Sequence, residues 1–121
     1  MSNVELTKDA DKLICVLYHE YLNSRSTGIS KETARYFGSS EDIQRRFFVG
    51  QSEDDITREC WGLHTKGILN CSRGDDLANN VYLTNDGIKY MESRFPRGVQ
   101  EVIKYLSSIF GIVRGAYGFL S

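Results

Sequence analysis

The stretch Gly67-Ile-Leu-Asn-Cys-Ser-Arg-Gly-Asp-Asp-Leu-Ala-Asn-Asn-Val-Tyr-Leu-Thr-Asn-Asp-Gly-Ile-Lys-Tyr90 constrains the fold of this chain more than any other segment. Two short runs, Ile68 to Ser72 and Asn80 to Leu83, flank residues 73–79, which are rich in Gly, Asp and Asn. Turn-forming residues between two such runs are the pattern of an antiparallel hairpin. Thr84 follows at once, where a helix N-cap stands, and Leu83 and Ile88 hold the N′ and N4 positions of a hydrophobic staple. The spacing predicts a helix that turns Ile88, Met91 and Phe95 toward a core. The single proline, Pro96, ends it.

Helical segments precede the hairpin. Leu6, Ala10, Leu13, Ile14, Leu17 and Tyr21 recur at helical spacing, which predicts an amphipathic helix from Thr7 to Asn23. After a polar break at residues 24–28, Ser30 stands as the N-cap of a short helix running to Phe37 and stopped by Gly38. Ser39 or Ser40 caps another from Glu41 to Val49, with Ile43, Phe47 and Phe48 as its apolar side. Ser52 opens a further helix in capping-box fashion, with carboxylates where the helix dipole favours them. That helix runs to about Lys66, turns Ile56, Cys60 and Leu63 inward, and stops at Gly67.

The order of helices, hairpin and helix, with Leu83-Thr-Asn-Asp-Gly87 opening the helix after the hairpin, resembles the winged helix-turn-helix superfamily. There, Leu-Thr-x-x-Gly often follows the wing. The resemblance spans Thr7 to Phe95, is architectural, and is nearest to small bacterial and phage-type proteins. It implies a mainly α fold with a small β-hairpin (α+β). Residues 1–95 would form a winged-helix domain and residues 96–121 an amphipathic C-terminal helix, a common dimerisation device in proteins of this kind. The segment Glu41 to Val49 exceeds the minimal winged-helix pattern, so the assignment of the two helices of the helix-turn-helix stays open.

The resemblance implies DNA binding, with the third helix in the major groove and the wing on the adjacent backbone. Arg35, Arg45, Arg46, Arg58 and Arg73 are then the candidate phosphate or base contacts of a homodimeric transcription regulator. Charge argues the other way. The chain carries a net charge of −1, without the basic excess of a dedicated nucleic-acid binder. Between Ser52 and Asn80, Glu53, Asp54, Asp55, Glu59, Asp75 and Asp76 outnumber Arg58, Lys66 and Arg73. A carboxylate near a phosphate adds repulsion and releases no counterion. The alternative is a protein-interaction adaptor that presents Glu53, Asp54, Asp55, Asp75 and Asp76 to a basic surface.

Both histidines follow a cysteine by four residues, as Cys15-x-x-x-His19 and Cys60-x-x-x-His64. On a helix that spacing puts thiolate and imidazole on one face, as a zinc ligand pair requires. The helical phases place Cys15 and His19 away from the Leu13-Leu17-Tyr21 stripe and Cys60 beside the Ile56-Leu63 stripe. One pair is thus expected to face outward and the other to border the core, so no shared metal site is expected. A Cys60–His64 nucleophile–base pair lacks a third orienting group. The chain holds no Walker loop, dinucleotide fingerprint or His-Glu-x-x-His motif, and Arg73-Gly-Asp-Asp76 lacks ligands at calcium-loop spacing. The expectation is a non-enzyme without catalytic residues, metal or cofactor.

Three cysteines, Cys15, Cys60 and Cys71, form an odd and sparse set that fits reduced thiols in a cytoplasmic protein. Residues 1–11 are polar and acidic, so no secretory leader is expected. Past Pro96, Val99, Val102, Leu106, Ile109 and Val113 follow a three-then-four spacing widened by Ile103 and Phe110. A second copy of the chain is the expected cover for this stripe, with Val99, Val102, Leu106, Ile109, Phe110 and Val113 as the dimerisation contacts. Packing onto the chain's own domain and a membrane-surface or partner-helix role are the alternatives. Lys104 and Arg114 interrupt the apolar run, so no membrane span is expected.

Overall fold

The longest described helix, α1 (Lys8–Ser26), is buried around nearly its whole circumference. A computed structural model describes residues 5–111. Thr7 caps α1 by accepting from the Ala10 amide at 3.1 Å. Leu13 through His19 then run without an exposed position. Cys15 and His19 are 0% and 2% exposed, which corrects the expectation that this pair faces outward. Helical periodicity reports a solvent face only where solvent reaches it. Here α2, α4 and α6 all pack on α1 and leave little of it to water.

The remaining elements are α2 (Lys31–Ala34), β1 (Tyr36–Gly38), α3 (Ser40–Phe47), α4 (Glu53–Thr65), β2 (Leu69–Gly74), β3 (Leu77–Leu83), α5 (Asn85–Arg94) and α6 (Val99–Phe110). The expected fold class, mainly α with a small β component, is what the chain adopts. The sheet is larger than a hairpin, with three antiparallel strands in the order β1-β3-β2. The helix expected to run from Lys31 to Phe37 stops after one turn at Ala34. Tyr36 and Gly38 instead pair with Tyr82 and Val81 of β3. The Arg35 carbonyl accepts from the Leu83 amide at 3.0 Å and starts that ladder. Gly38, with φ of 84°, then turns the chain into the Ser39–Asp42 capping box of α3.

The hairpin is longer and tighter than its sequence pattern. β2 and β3 leave only Asp75 and Asp76 between them, with φ of 53° and 59°. Positive φ at both central residues marks a type I′ turn, whose twist matches that of the strands. Aspartate tolerates this region because its short polar side chain bonds locally. Between the pairs Asn70–Tyr82 and Ser72–Asn79 the β3 strand carries one extra residue, a bulge at which Asn80 has φ of 52°. Asn80 is held there by the Tyr36 hydroxyl, which donates to its Oδ1 at 3.0 Å.

Thr84 explains the Leu-Thr-x-x-Gly pattern in physical terms. Its Oγ1 accepts from the Gly87 amide at 2.8 Å and donates to the Gly67 carbonyl at 2.6 Å, so one hydroxyl joins the start of α5 to the end of α4. Gly87 lies so close to Ile68 that a Cβ there would overlap the Ile68 carbonyl oxygen. Leu83 and Ile88, the two ends of the staple, are both buried.

The described part of α6 belongs to the same core. Val102 and Leu106 are fully buried and α6 packs along α1, so these two side chains serve the chain's own interior. That corrects their reading as dimerisation contacts. Val99 and Phe110 are half-buried, Phe110 edge-on to Tyr105, while Ile109 is 50% exposed. Val113 lies outside the described residues.

Candidate functional site

The outer face of α4 and the β2–β3 hairpin form the two walls of an open groove of about 620 Å³. Ile56, Cys60 and Leu63 face the core, which leaves Asp54, Arg58 and Trp61 on the opposite side of the same helix. Arg73, Asp75 and Asp76 face them from the hairpin. Asp75 and Asp76 stand at the tip because the type I′ turn leaves no other residues there. The side chain of Asn79 closes the turn by donating to the Gly74 carbonyl at 2.8 Å.

A buried serine sets the spacing of the walls. Ser40 is 0% exposed, its Oγ accepts from the Ala78 amide at 3.1 Å, and it lies 2.7 Å from the Thr57 hydroxyl. One side chain at the start of α3 therefore links β3 to α4. Sequence reasoning missed it because Ser39 and Ser40 look alike as caps. Ser39 caps α3, and Ser40 points into the core.

Across the groove floor the Arg73 guanidinium carbon lies 4.3 Å from the centroid of the Trp61 ring. Trp61 in turn meets His64 edge-on, with centroids 5.2 Å apart. Arg58 pairs with Asp55 at 3.4 Å in an exposed i,i+3 contact. Asp54, Asp75 and Asp76 pair with no described cation, and Arg73 pairs with no described carboxylate. Among the groove's lining residues Asp54, Asp75 and Asp76 thus outnumber Arg58 and Arg73, and the groove mouth is acidic. Glu53 is half-buried at the start of α4.

The other candidate cations lie elsewhere. Arg35 braces the sheet. It donates to Glu32 and to Asn85 Oδ1, each at 3.0 Å, and its guanidinium stacks over Tyr82 at 5.2 Å. Arg45 pairs with Glu41 at 2.6 Å on α3, and Arg46 lies over the Phe47 ring at 4.6 Å. The five arginines proposed from sequence therefore stand in three different settings. Arg58 and Arg73 share the groove, Arg45 and Arg46 share α3, and Arg35 is committed to packing.

The thiols are poor nucleophiles. Burial raises all three, with Cys60 pushed up to about 12 and Cys15 higher still under the added influence of Asp11. Burial also lowers His19 to about 4, so it is neutral at physiological pH. Among the described residues, no three His, Cys, Asp or Glu side chains are grouped to hold a metal ion. No described helix is long and apolar enough to cross a membrane. Comparison with protein families, with curated proteins and with solved structures finds no match to this chain.

Proposed function

We propose that this chain is a non-enzymatic winged-helix binding module that docks a protein partner with a basic surface on its α4–hairpin face. The element order helix, one-turn helix, strand, helix, helix, strand, strand (α1 to β3), with the sheet order β1-β3-β2, supports the winged-helix reading. In that reading α3 and α4 are the helix-turn-helix, and Asp75 and Asp76 tip the wing. One observation carries the choice of partner. Asp54 and Asp55 stand at the start of α4, with Asp75 and Asp76 at the hairpin tip, the two parts that in this reading would approach the groove and backbone of DNA. Placing that many carboxylates against phosphate opposes counterion release, whereas a Lys- or Arg-rich protein surface is attracted by them.

The test is fluorescence anisotropy of labelled polylysine and of a labelled mixed-sequence DNA duplex against the full chain. Salt-sensitive binding of polylysine, lost in the Asp54→Lys, Asp55→Lys double variant, supports the proposal. Binding that ignores the double substitution overturns it.

A second reading, a homodimeric cytoplasmic DNA-binding regulator, rests on Arg45 and Arg46, both exposed on α3. Surface ion pairs such as Arg45–Glu41 are worth only about 0–1 kcal/mol and yield to a phosphate. This reading expects salt-sensitive duplex binding that weakens in Arg45→Ala and Arg46→Ala, with a shallower salt slope.

A further inference from the structure

Resting on the protein-docking reading, we infer that the α4–hairpin groove seats an arginine side chain of the partner, and that Arg73 of this chain occupies the seat until the partner arrives. Trp61, the only tryptophan in the chain, forms part of the groove lining, and a guanidinium from the hairpin covers its ring at 4.3 Å. A planar, weakly hydrated guanidinium stacks on an indole more readily than an ammonium does. Its N–H groups then point outward in the ring plane, where carboxylate oxygens accept them bidentately. The groove supplies such carboxylates on both walls, Asp54 on α4 and Asp75 and Asp76 on the hairpin.

These three carboxylates pair with no described cation, and Arg73 with no described carboxylate, so Arg73 takes the ring and leaves the acceptors open. Arg73 is fixed by the register of the hairpin, where it pairs with Ala78 one step from the turn. A partner's arginine, entering from solvent, is free to satisfy the ring and the carboxylates together. The groove volume of about 620 Å³ accommodates one such side chain with its flanking backbone. Duplex DNA offers neither a cation for the ring nor relief for the carboxylates.

The experiment reads the Trp61 emission of the full chain during titration with hexa-arginine, hexa-lysine and hexa-glutamate. Hexa-arginine is expected to change the emission saturably, with an affinity about three-fold or more above that of hexa-lysine. The Asp54→Asn, Asp75→Asn, Asp76→Asn triple variant is expected to lose about ten-fold or more, and asparagine tolerates the left-handed turn conformation, so the hairpin is retained. The decisive variant is Arg73→Ala. Removal of an internal competitor is expected to tighten hexa-arginine binding about three-fold. A duplex-binding wing would instead lose affinity on that change.

No emission change with hexa-arginine overturns the inference, as does an equal response to hexa-glutamate, or an Arg73→Ala affinity that stays level or falls. If polylysine binding still depends on Asp54 and Asp55 while Arg73→Ala changes nothing, the arginine seat fails and the docking reading stands. If only the duplex binds and Arg73→Ala weakens it, both fail.

Discussion

Arg94, the last residue of α5, reaches Asp11 on the first turn of α1 with both ends of its guanidinium, Nη1 to Oδ1 at 2.6 Å and Nη2 to Oδ2 at 3.3 Å. The Tyr105 hydroxyl of α6 donates to the same Oδ2 at 2.5 Å. The rings of Phe95 and Tyr105 each lie 4.9 Å from the guanidinium carbon. Burial together with the bond to Asp11 pushes the Tyr105 phenol up to about 12, so it stays protonated and keeps donating. One carboxylate on α1 therefore ties down α5 and α6, two helices far from it in sequence.

Asp11→Asn keeps the shape of this cluster and removes its charge. The Arg94 side chain is only 23% exposed and would be left without its carboxylate. The expected loss is about 2–4 kcal/mol of unfolding free energy, against about 1 kcal/mol for Tyr105→Phe, which removes one hydrogen bond. Urea denaturation followed by far-UV circular dichroism checks both. Equal losses for the two variants would mean that the charge is not what holds α6.

Stability is expected to fall between pH 6.5 and about 4 through His19. Its pKa is lowered by burial from 6.5 to about 4, so in that window the unfolded chain binds a proton that the folded chain does not. The contribution is complete above the unfolded value, declines as pH drops, and levels off below the folded one. It amounts to a few kcal/mol at most, on the scale of 1.36 kcal/mol per pKa unit. Burial raises Glu20 and Glu59, and these shifts act in the opposite sense, so the measurement is the difference between wild type and His19→Phe. That difference should shrink or reverse as the pH is lowered. A constant offset across the window would refute the assignment.

Gly87→Ala is expected to cost about 1–3 kcal/mol, although alanine is ordinarily the better helix former. The new Cβ would overlap the Ile68 carbonyl oxygen, which is backbone and already accepts from the Thr84 amide at 3.1 Å. Thr84→Ala removes the cap of α5 and its bond to Gly67, for about 1 kcal/mol or more. Thermal melts of the two variants check this. A stabilised Gly87→Ala would show that α5 can back away from Ile68.

What was legible in advance follows the range of the interaction. Ser30, Ser52 and Thr84 were readable as caps, and Ser39 as one of two candidates beside Ser40, because a cap bonds to an amide three residues ahead. β1 was not readable, since Tyr36 to Gly38 form a strand only through pairing with β3, more than forty residues later. The Asp75–Asp76 turn hid because it lacks the Asn-Gly that usually announces a two-residue hairpin. In the groove, Asp54, Asp75 and Asp76 were readable as an acidic set. Trp61 was not singled out, because its contact with Arg73 depends on how α4 packs on β2. The same limit applied to Cys15 and His19, whose cover comes from packing that helical phase does not report.

Leu106 and Ile109 lie one turn apart on α6 and are expected to separate folding from association. Leu106 is fully exposed to the core and none of it to water, so Leu106→Ala should cost about 2–5 kcal/mol through lost burial and the cavity left behind. Ile109 is 50% exposed, beside the half-buried Phe110, and this remnant of the stripe is what a second copy would cover in the dimer reading. Ile109→Glu is therefore expected to leave the unfolding free energy within about 0.5 kcal/mol of wild type, as surface changes usually do. If the chain is a dimer, the same substitution should shift its mass by light scattering toward the monomer. A dimer that survives Ile109→Glu would place the association surface outside α6. A monomeric wild type would leave the described part of α6 with one role, the completion of the core beside α1.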